Sequence, residues 1–464
     1  MRSHSRFLLL VLAFCAIAGA SAPAAQAAFG VEQFASLTCK NNAPEGKLGE
    51  CNALTPVAEL FTRAGGHPNF GITDFTFNEF GTAGNGVKAI RTDLPVGFST
   101  NPQALPQCSL ADFEANLGTA EANHCNANTL AGEQEATLIV APGPTFATLV
   151  GQVYNLVPRE GLPLEFGVDI DTPKGHVHSL IEGGVSWHKE AEATEAGVES
   201  GDYHEYFKIK GGKRLSEGEA PLVRSRLIFN GHVGNGLLTN PTACPGPQTA
   251  HLRVEPYEGP PAFAHYTSTA TAAQEECGAL KFEPAFLLSP SSTQTDAPDG
   301  IAAELNFPLN KSFTETEGSD LRASQVTLPA GMTINPSAAA GLEVCTPEEL
   351  GIGTERTTVT CPPRSAIGSD VVNVPGLPPG SLTGSVFLGE EAPGPITKPP
   401  YKIYLVAGST RYGQLLRVEG SVAPNPTTGQ LTTTFANNPQ GPFTSIKLAF
   451  DSGAFANLAN PLAC

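Results

Sequence analysis

Apolar and polar residues alternate over short distances along most of this chain, and turn formers close each run. Leu415-Leu-Arg-Val-Glu-Gly-Ser-Val422 keeps a period near two, Asn425-Pro-Thr-Thr-Gly429 interrupts it, and Leu431-Thr-Thr-Thr-Phe435 resumes with β-branched residues. Alternation, a turn and a β-branched run together predict a hairpin. Tyr401-Lys-Ile-Tyr-Leu-Val406 and Ser445-Ile-Lys-Leu-Ala-Phe450 read as further strands. Helix signals are confined to two places, each just after a cysteine. Ser109 and Asp112 follow Cys108, Thr346 and Glu349 follow Cys345, and Pro347 suits a first helical position.

The two helix signals belong to a larger self-similarity. Leu94-Pro-Val-Gly97 and Asn101-Pro102 return as Leu328-Pro-Ala-Gly331 and Asn335-Pro336. Cys108 and Cys125 match Cys345 and Cys361, and Gly151-Gln-Val-Tyr154 matches Gly384-Ser-Val-Phe387. Pro221 to Asn230 parallels Pro442 to Asp451, and Asn240-Pro-Thr-Ala-Cys244 parallels Asn460-Pro-Leu-Ala-Cys464. Six blocks in one order predict a unit written twice. The expected fold is all-β, with two tandem Ig-like, β-sandwich-type domains that each carry one short helix after a loop cysteine. The copies are placed at 28–255, with an insertion at 171–220, and at 276–464, joined by a linker at 256–275.

Composition agrees with strands and turns. Gly 49 and Pro 40 together approach a fifth of the 464 residues, against a usual ~12%, which excludes a helical bundle or coiled coil. With 41% hydrophobic residues the chain can bury a substantial core. The formal net charge of −18 repels phosphate backbones and argues against nucleic acid as a partner. The basic start with Arg2 and Arg6, the apolar run Phe7 to Ala20 and Ala25-Gln26-Ala27 form a secretory signal, residues 1–27. Its run is too short to span a bilayer, and no later apolar run could anchor the chain. Phe14 before Cys15 is unlike the small residue that a lipidated cysteine needs. The expected place of work is therefore extracellular, in association with the cell envelope.

Export makes disulfides the default reading of Cys39, Cys51, Cys108, Cys125, Cys244, Cys277, Cys345, Cys361 and Cys464. Equivalent spacing predicts Cys108 with Cys125 and Cys345 with Cys361. Cys277 opens the second copy and Cys464 ends it, so a clasp between them is expected. By analogy Cys244 pairs with Cys39 or Cys51; the competing pattern joins Cys39 to Cys51 and leaves Cys244 over.

Several stretches resemble a known family. They are Phe29-Gly-Val-Glu-Gln-Phe34, Ala64-Gly-Gly-His-Pro68, Leu94-Pro-Val-Gly97, Asn101 to Cys108 and Val153-Tyr-Asn-Leu-Val-Pro158. Gly201-Asp-Tyr-His-Glu-Tyr-Phe207, Leu328 to Asn335 and Phe435-Ala-Asn-Asn-Pro439 extend the likeness over most of the mature chain. The chain resembles large secreted β-rich repeat proteins of soil actinobacteria. That resemblance implies location and architecture. It carries no enzymatic activity, and so transfers no functional residue.

Candidate chemistry is concentrated in the insertion of the first copy. It holds His176, His178, Trp187, His188, Asp202, His204 and Glu205, with four of the ten histidines and the single tryptophan. Histidines two apart on a strand point the same way, so a divalent metal or another ligand is one reading. A long solvated hairpin is the other. Asp169-x-Asp171 followed by Gly175 resembles a calcium-loop fragment, without the later carboxylate such a loop needs. No G-x-S-x-G elbow, H-E-x-x-H helix or P-loop occurs, and no cofactor is implied. The first expectation is a non-catalytic structural or adhesive envelope protein, with cell-wall polymer or other surface proteins as partners. The alternatives are a carbohydrate- or metal-binding module built on the insertion, and a hydrolase of envelope polymers.

Overall fold

The computed structural model describes residues 30–44, 46–77, 87–141, 145–189, 201–210, 222–256, 264–268, 271–310, 312–390 and 401–462. The signal segment and Cys464 lie outside the described residues. In the first half the strands are β1 (Val31–Cys39), β2 (Phe70–Phe77), β3 (Val87–Asp93), β4 (Ser99–Thr100), β5 (Leu130–Ala141) and β6 (Thr145–Asn155). There follow β7 (Leu164–Thr172), β8 (Gly175–Lys189), β9 (Gly201–Lys210), β10 (Leu222–Asn230), β11 (Leu238–Thr239), β12 (His251–Pro256) and β13 (Ala264–Thr267). The second half has β14 (Ala285–Pro290), β15 (Pro298–Asp299), β16 (Ile301–Asn306), β17 (Ser324–Thr327), β18 (Thr333–Ile334) and β19 (Ala366–Asn373). It ends with β20 (Leu382–Leu388), β21 (Tyr401–Ser409), β22 (Gln414–Pro424), β23 (Leu431–Phe435), β24 (Ser445–Phe450) and β25 (Leu458–Ala459).

These strands form two large antiparallel sheets in all-β, sandwich-like domains. The first runs β1-β2-β10-β5-β6-β7-β8-β9-β3-β12-β13 and the second β14-β16-β24-β19-β20-β21-β22-β23-β17. The first nine positions of the one have the same order as all nine of the other. A small ribbon recurs as well, β4 with β11 and β18 with β25, the latter extended by β15. The edge strands β1 and β13 of the first sheet approach each other, so that sheet curls over its own core.

Local chemistry recurs with the topology. Asn101 and Asn335 accept at 3.0 and 3.1 Å from the backbone N–H two residues on, starting equivalent 3-10 turns. Cys108 N–H and Cys345 N–H donate at 2.8 Å to the last residues of β6 and β20, Asn155 and Leu388. Each cysteine is followed by a one-turn helix, α1 (Leu110–Phe113) or α2 (Pro347–Leu350). Ser109 caps the first, and Thr346 with Glu349 makes a reciprocal capping box on the second. The expected hairpin is β22 to β23, turned where the Asn425 side chain accepts from Thr427 N–H and Thr428 N–H.

The first core stacks Phe166, Phe207 and Phe229, with ring centroids 4.8 to 6.2 Å apart, beside Val153 and Ile181. Each buried phenylalanine contributes roughly 1.5–3 kcal/mol. The second core gathers Ile367, Val386, Ile403, Val418 and Phe435.

Cysteine pairing departs from expectation at the domain ends. Cys108–Cys125 and Cys345–Cys361 are bonded across 17 and 16 residues. Cys277, however, bonds Cys244 rather than Cys464, and Cys39 bonds Cys51. The reason is the path of the segment expected as a linker. Residues 264–267 form β13 on β12. Farther on, Ala64 N–H donates to Glu275 O at 2.9 Å and Glu275 N–H to Thr62 O at 2.8 Å. Stitched to the first domain in this way, Cys277 arrives with its Cα 6.1 Å from that of Cys244, inside the range a disulfide spans. Cys39 ends β1 and Cys51 lies in the loop that folds back over it, with Cα atoms 6.5 Å apart.

Candidate functional site

The inserted residues lengthen two strands. β8 has 15 residues against 11 in β22, and β9 has 10 against 5 in β23. Strand periodicity then decides which candidates can meet. His176 and His178 share one face of β8, and β7 places Asp169 opposite His178. The His176 ring Nδ1 lies 2.7 Å from Asp169 Oδ1 and His178 Nε2 lies 3.3 Å from the same oxygen. Asn123 donates to the second oxygen, Oδ2, at 2.7 Å. The His178 ring packs on Phe113 of α1 with centroids 4.5 Å apart. Burial pushes His178 below its ordinary pKa, against the pull of Asp169, and His176 adds to the lowering.

This cluster consumes its own carboxylate. Among the described residues no group of three His, Cys, Asp or Glu side chains is arranged to hold a metal ion. The calcium-loop fragment is not a loop: Asp169 and Asp171 lie within β7, and Gly175 begins β8 across a tight hairpin.

The other candidates lie at the far end of β8. His188 pairs with Asp202, Ser186 with His204 and Val185 with Glu205. Eight residues separate His178 from Ser186, about 26 Å along a strand, so His178 and His204 do not share a site. His204 Nδ1 sits 2.8 Å from Leu94 O. Glu205 is 6% exposed, and its Oε2 accepts from Thr100 N–H at 2.7 Å. Burial, only partly offset by Thr100, pushes its carboxyl up to about 8.

This end of the hairpin docks on the second domain, through residues the sequence did not mark. Tyr203 Oη accepts from Arg417 N–H at 2.9 Å, and Val185 N–H donates to Gln414 Oε1 at 3.1 Å. Burial pushes the Tyr203 phenol up, against the pull of Arg417. In the turn before β22, Arg411 donates from Nη1 to Arg159 O at 2.9 Å and from Nη2 to Pro158 O at 2.8 Å. Gly161 N–H returns a bond to Arg411 O at 2.8 Å. His232 stacks on Phe313 at 4.8 Å elsewhere on the same seam.

Two concavities open along the seam. One, of about 360 Å³, is lined by Trp187, Asp202, Tyr203, Arg417, Glu419 and Asn438. The other, of about 170 Å³, has walls that include Phe98, Leu164, Val185, Leu377, Leu416 and Phe443, with Glu205 among them. No protein-family model, curated protein or solved structure matches the chain. Among the described residues no helix is long and apolar enough to cross a membrane, and the four disulfides suit an oxidising compartment.

Proposed function

We propose that this is an exported, non-catalytic structural or adhesive protein of the cell envelope, in which a duplicated β-sandwich unit works as one docked body. The observation that carries the reading is the use of the insertion. Tyr203, Val185 and their strands bond to the second domain, and Asp169 is engaged by its own histidines and Asn123. The shared strand order supports the duplication, and the signal at residues 1–27 supports export. The test is a broad hydrolase and transferase screen on the purified mature chain, beside a pull-down with isolated cell envelopes. Retention on envelopes without turnover is expected; reproducible turnover abolished by one point substitution overturns the reading.

A second reading, carbohydrate recognition, is favoured by the groove at Trp187. An indole face beside Asp202, Glu419, Asn438 and Arg417 supplies the stacking surface and polar edges that a sugar ring requires. Affinity electrophoresis through soluble wall polysaccharides tests it. Trp187→Ala abolishes the retardation if the groove binds glycan, whereas His178→Ala, about 30 Å away along β8, leaves it intact.

A further inference from the structure

The smaller concavity at the seam has a different character, independent of the envelope reading. Its named walls are hydrocarbon from both domains: Phe98, Leu164 and Val185 on one side, Leu377, Leu416 and Phe443 on the other. Into this setting β9 brings one carboxyl group, Glu205. Two other buried carboxylates of the first domain are paired with arginines: Asp93 meets Arg91 at 2.5 Å and Glu165 meets Arg159 at 2.5 Å. Glu205 has no cation: Thr100 alone serves it, with its N–H on Oε2, and Oε1 has no protein partner. A buried polar atom without a partner is costly, and in native proteins it marks a place for a water or ligand.

Size and polarity narrow the occupant. An enclosed apolar cavity of about 150 Å³ accepts one benzene-sized molecule; this concavity, open to the seam, offers about 170 Å³, enough for a body of that size. The lining also holds Thr100 Oγ1 and Gln440 Nε2, each buried without a protein partner, so a polar group of an occupant has more than one place to bind, while the hydrocarbon walls leave the rest of the space to an apolar body. An anion would face a carboxyl group with no cation beside it. A hydroxyl group suits Oε1 in either protonation state, because it can accept from the acid or donate to the carboxylate.

We propose that the seam between the two domains is a binding site for a small neutral hydroxylated hydrocarbon of phenol or hexanol size, its hydroxyl on Glu205 Oε1 and its apolar body against Leu377, Leu416 and Phe443. Occupancy would wedge the two domains together, since both supply walls.

The probes are phenol and benzene, titrated calorimetrically into the mature full-length chain at pH 6. The expected result is one site with phenol bound at least about tenfold tighter than benzene, because a site with a buried polar group rejects the analogue that leaves it unpaired. Glu205→Gln keeps the preference and Glu205→Leu erases it while retaining benzene. Leu416→Trp fills the space and loses both ligands. Equal affinity of the wild-type chain for the two probes, no binding of either, or an undiminished preference in Glu205→Leu would each overturn the proposal. If Glu205→Leu does not fold, the wild-type comparison and Leu416→Trp decide it.

Discussion

Arg226 is the largest fully buried side chain of the described residues, and removing its charge is the most demanding test of how the first domain holds together. Strand β10 lies between β2 and β5, and the register sets Arg226 directly opposite Asp74 on one side and Glu135 on the other. Its Nη1 donates to Glu135 Oε2 at 2.7 Å, and its Nη2 donates to Cys51 O at 3.1 Å and to Asn42 Oδ1. The guanidinium thus joins the sheet to the loop closed by Cys39–Cys51. Glu50, in that loop, is desolvated in a way that alone would raise its pKa. The bonds from Arg224 and Gly46 and the charges of Arg224 and Arg226 outweigh this and hold it below the usual carboxylate range.

Arg226→Met keeps most of the volume and takes away the cation. Breaking one side of a buried ion pair costs about 3–5 kcal/mol. At ~2–4 °C per kcal/mol for a domain of this size, the melting temperature should fall by about 6–20 °C. Urea unfolding followed through the single Trp187 measures the loss. The same variant should open Cys39–Cys51 to reductant sooner, because Cys51 O and Asn42 lose their donor. Adding Glu135→Leu should restore at least half of the lost stability, since an apolar pair of similar volume often replaces a buried ion pair at little cost. A loss below ~1 kcal/mol in the single variant, or strict additivity in the double, would refute the reasoning.

Four further outcomes follow from the geometry. Gly413→Ala should destabilise by at least ~1–2 kcal/mol in thermal unfolding, because φ is +60° and the new Cβ would stand 2.1 Å from Gly161 O across the seam. Gly380→Ala, at φ +78° with open space around it, meets only the backbone penalty and should cost less. A carboxyl group whose pKa is raised on folding binds more protons folded than unfolded. The share of stability due to Glu205 is therefore complete below pH 4.5 and is lost as pH rises towards about 8; Glu205→Gln should flatten that slope in unfolding curves. Replacing Cys108 and Cys125 by Ala should cost ~3 kcal/mol in the chain-entropy model, read as a lower urea midpoint.

Much of the fold was legible because its signals are local. The caps at Ser109 and Thr346, the turn at Asn425 and the repeated cysteine loops depend on residues a few positions apart, and each appears where the pattern put it. The pairing of Cys277 was not legible, since it depends on residues 264–277 folding back along the first domain, through β13 and Glu275. The candidate site divided for a related reason. A period of two correctly put His176 and His178 on one face, but their distance from His204 is set by the length of β8. Tyr203 and Arg417 are separated by 214 positions, and no spacing rule links them.

The central claim is that the two domains are docked as one body through the lengthened hairpin, and amide hydrogen exchange at the seam tests it most directly. Gly161 lies in a loop, and its N–H reaches only Arg411 O of the other domain; Val185 N–H and Arg417 N–H likewise donate to Gln414 and Tyr203 across the seam. Docking predicts that the Gly161 amide exchanges as slowly as strand amides of β6 and β7, and becomes fast in Gly413→Ala. A Gly161 amide that exchanges at the rate of an open loop in the wild-type chain, while both sheets stay protected, would contradict the account.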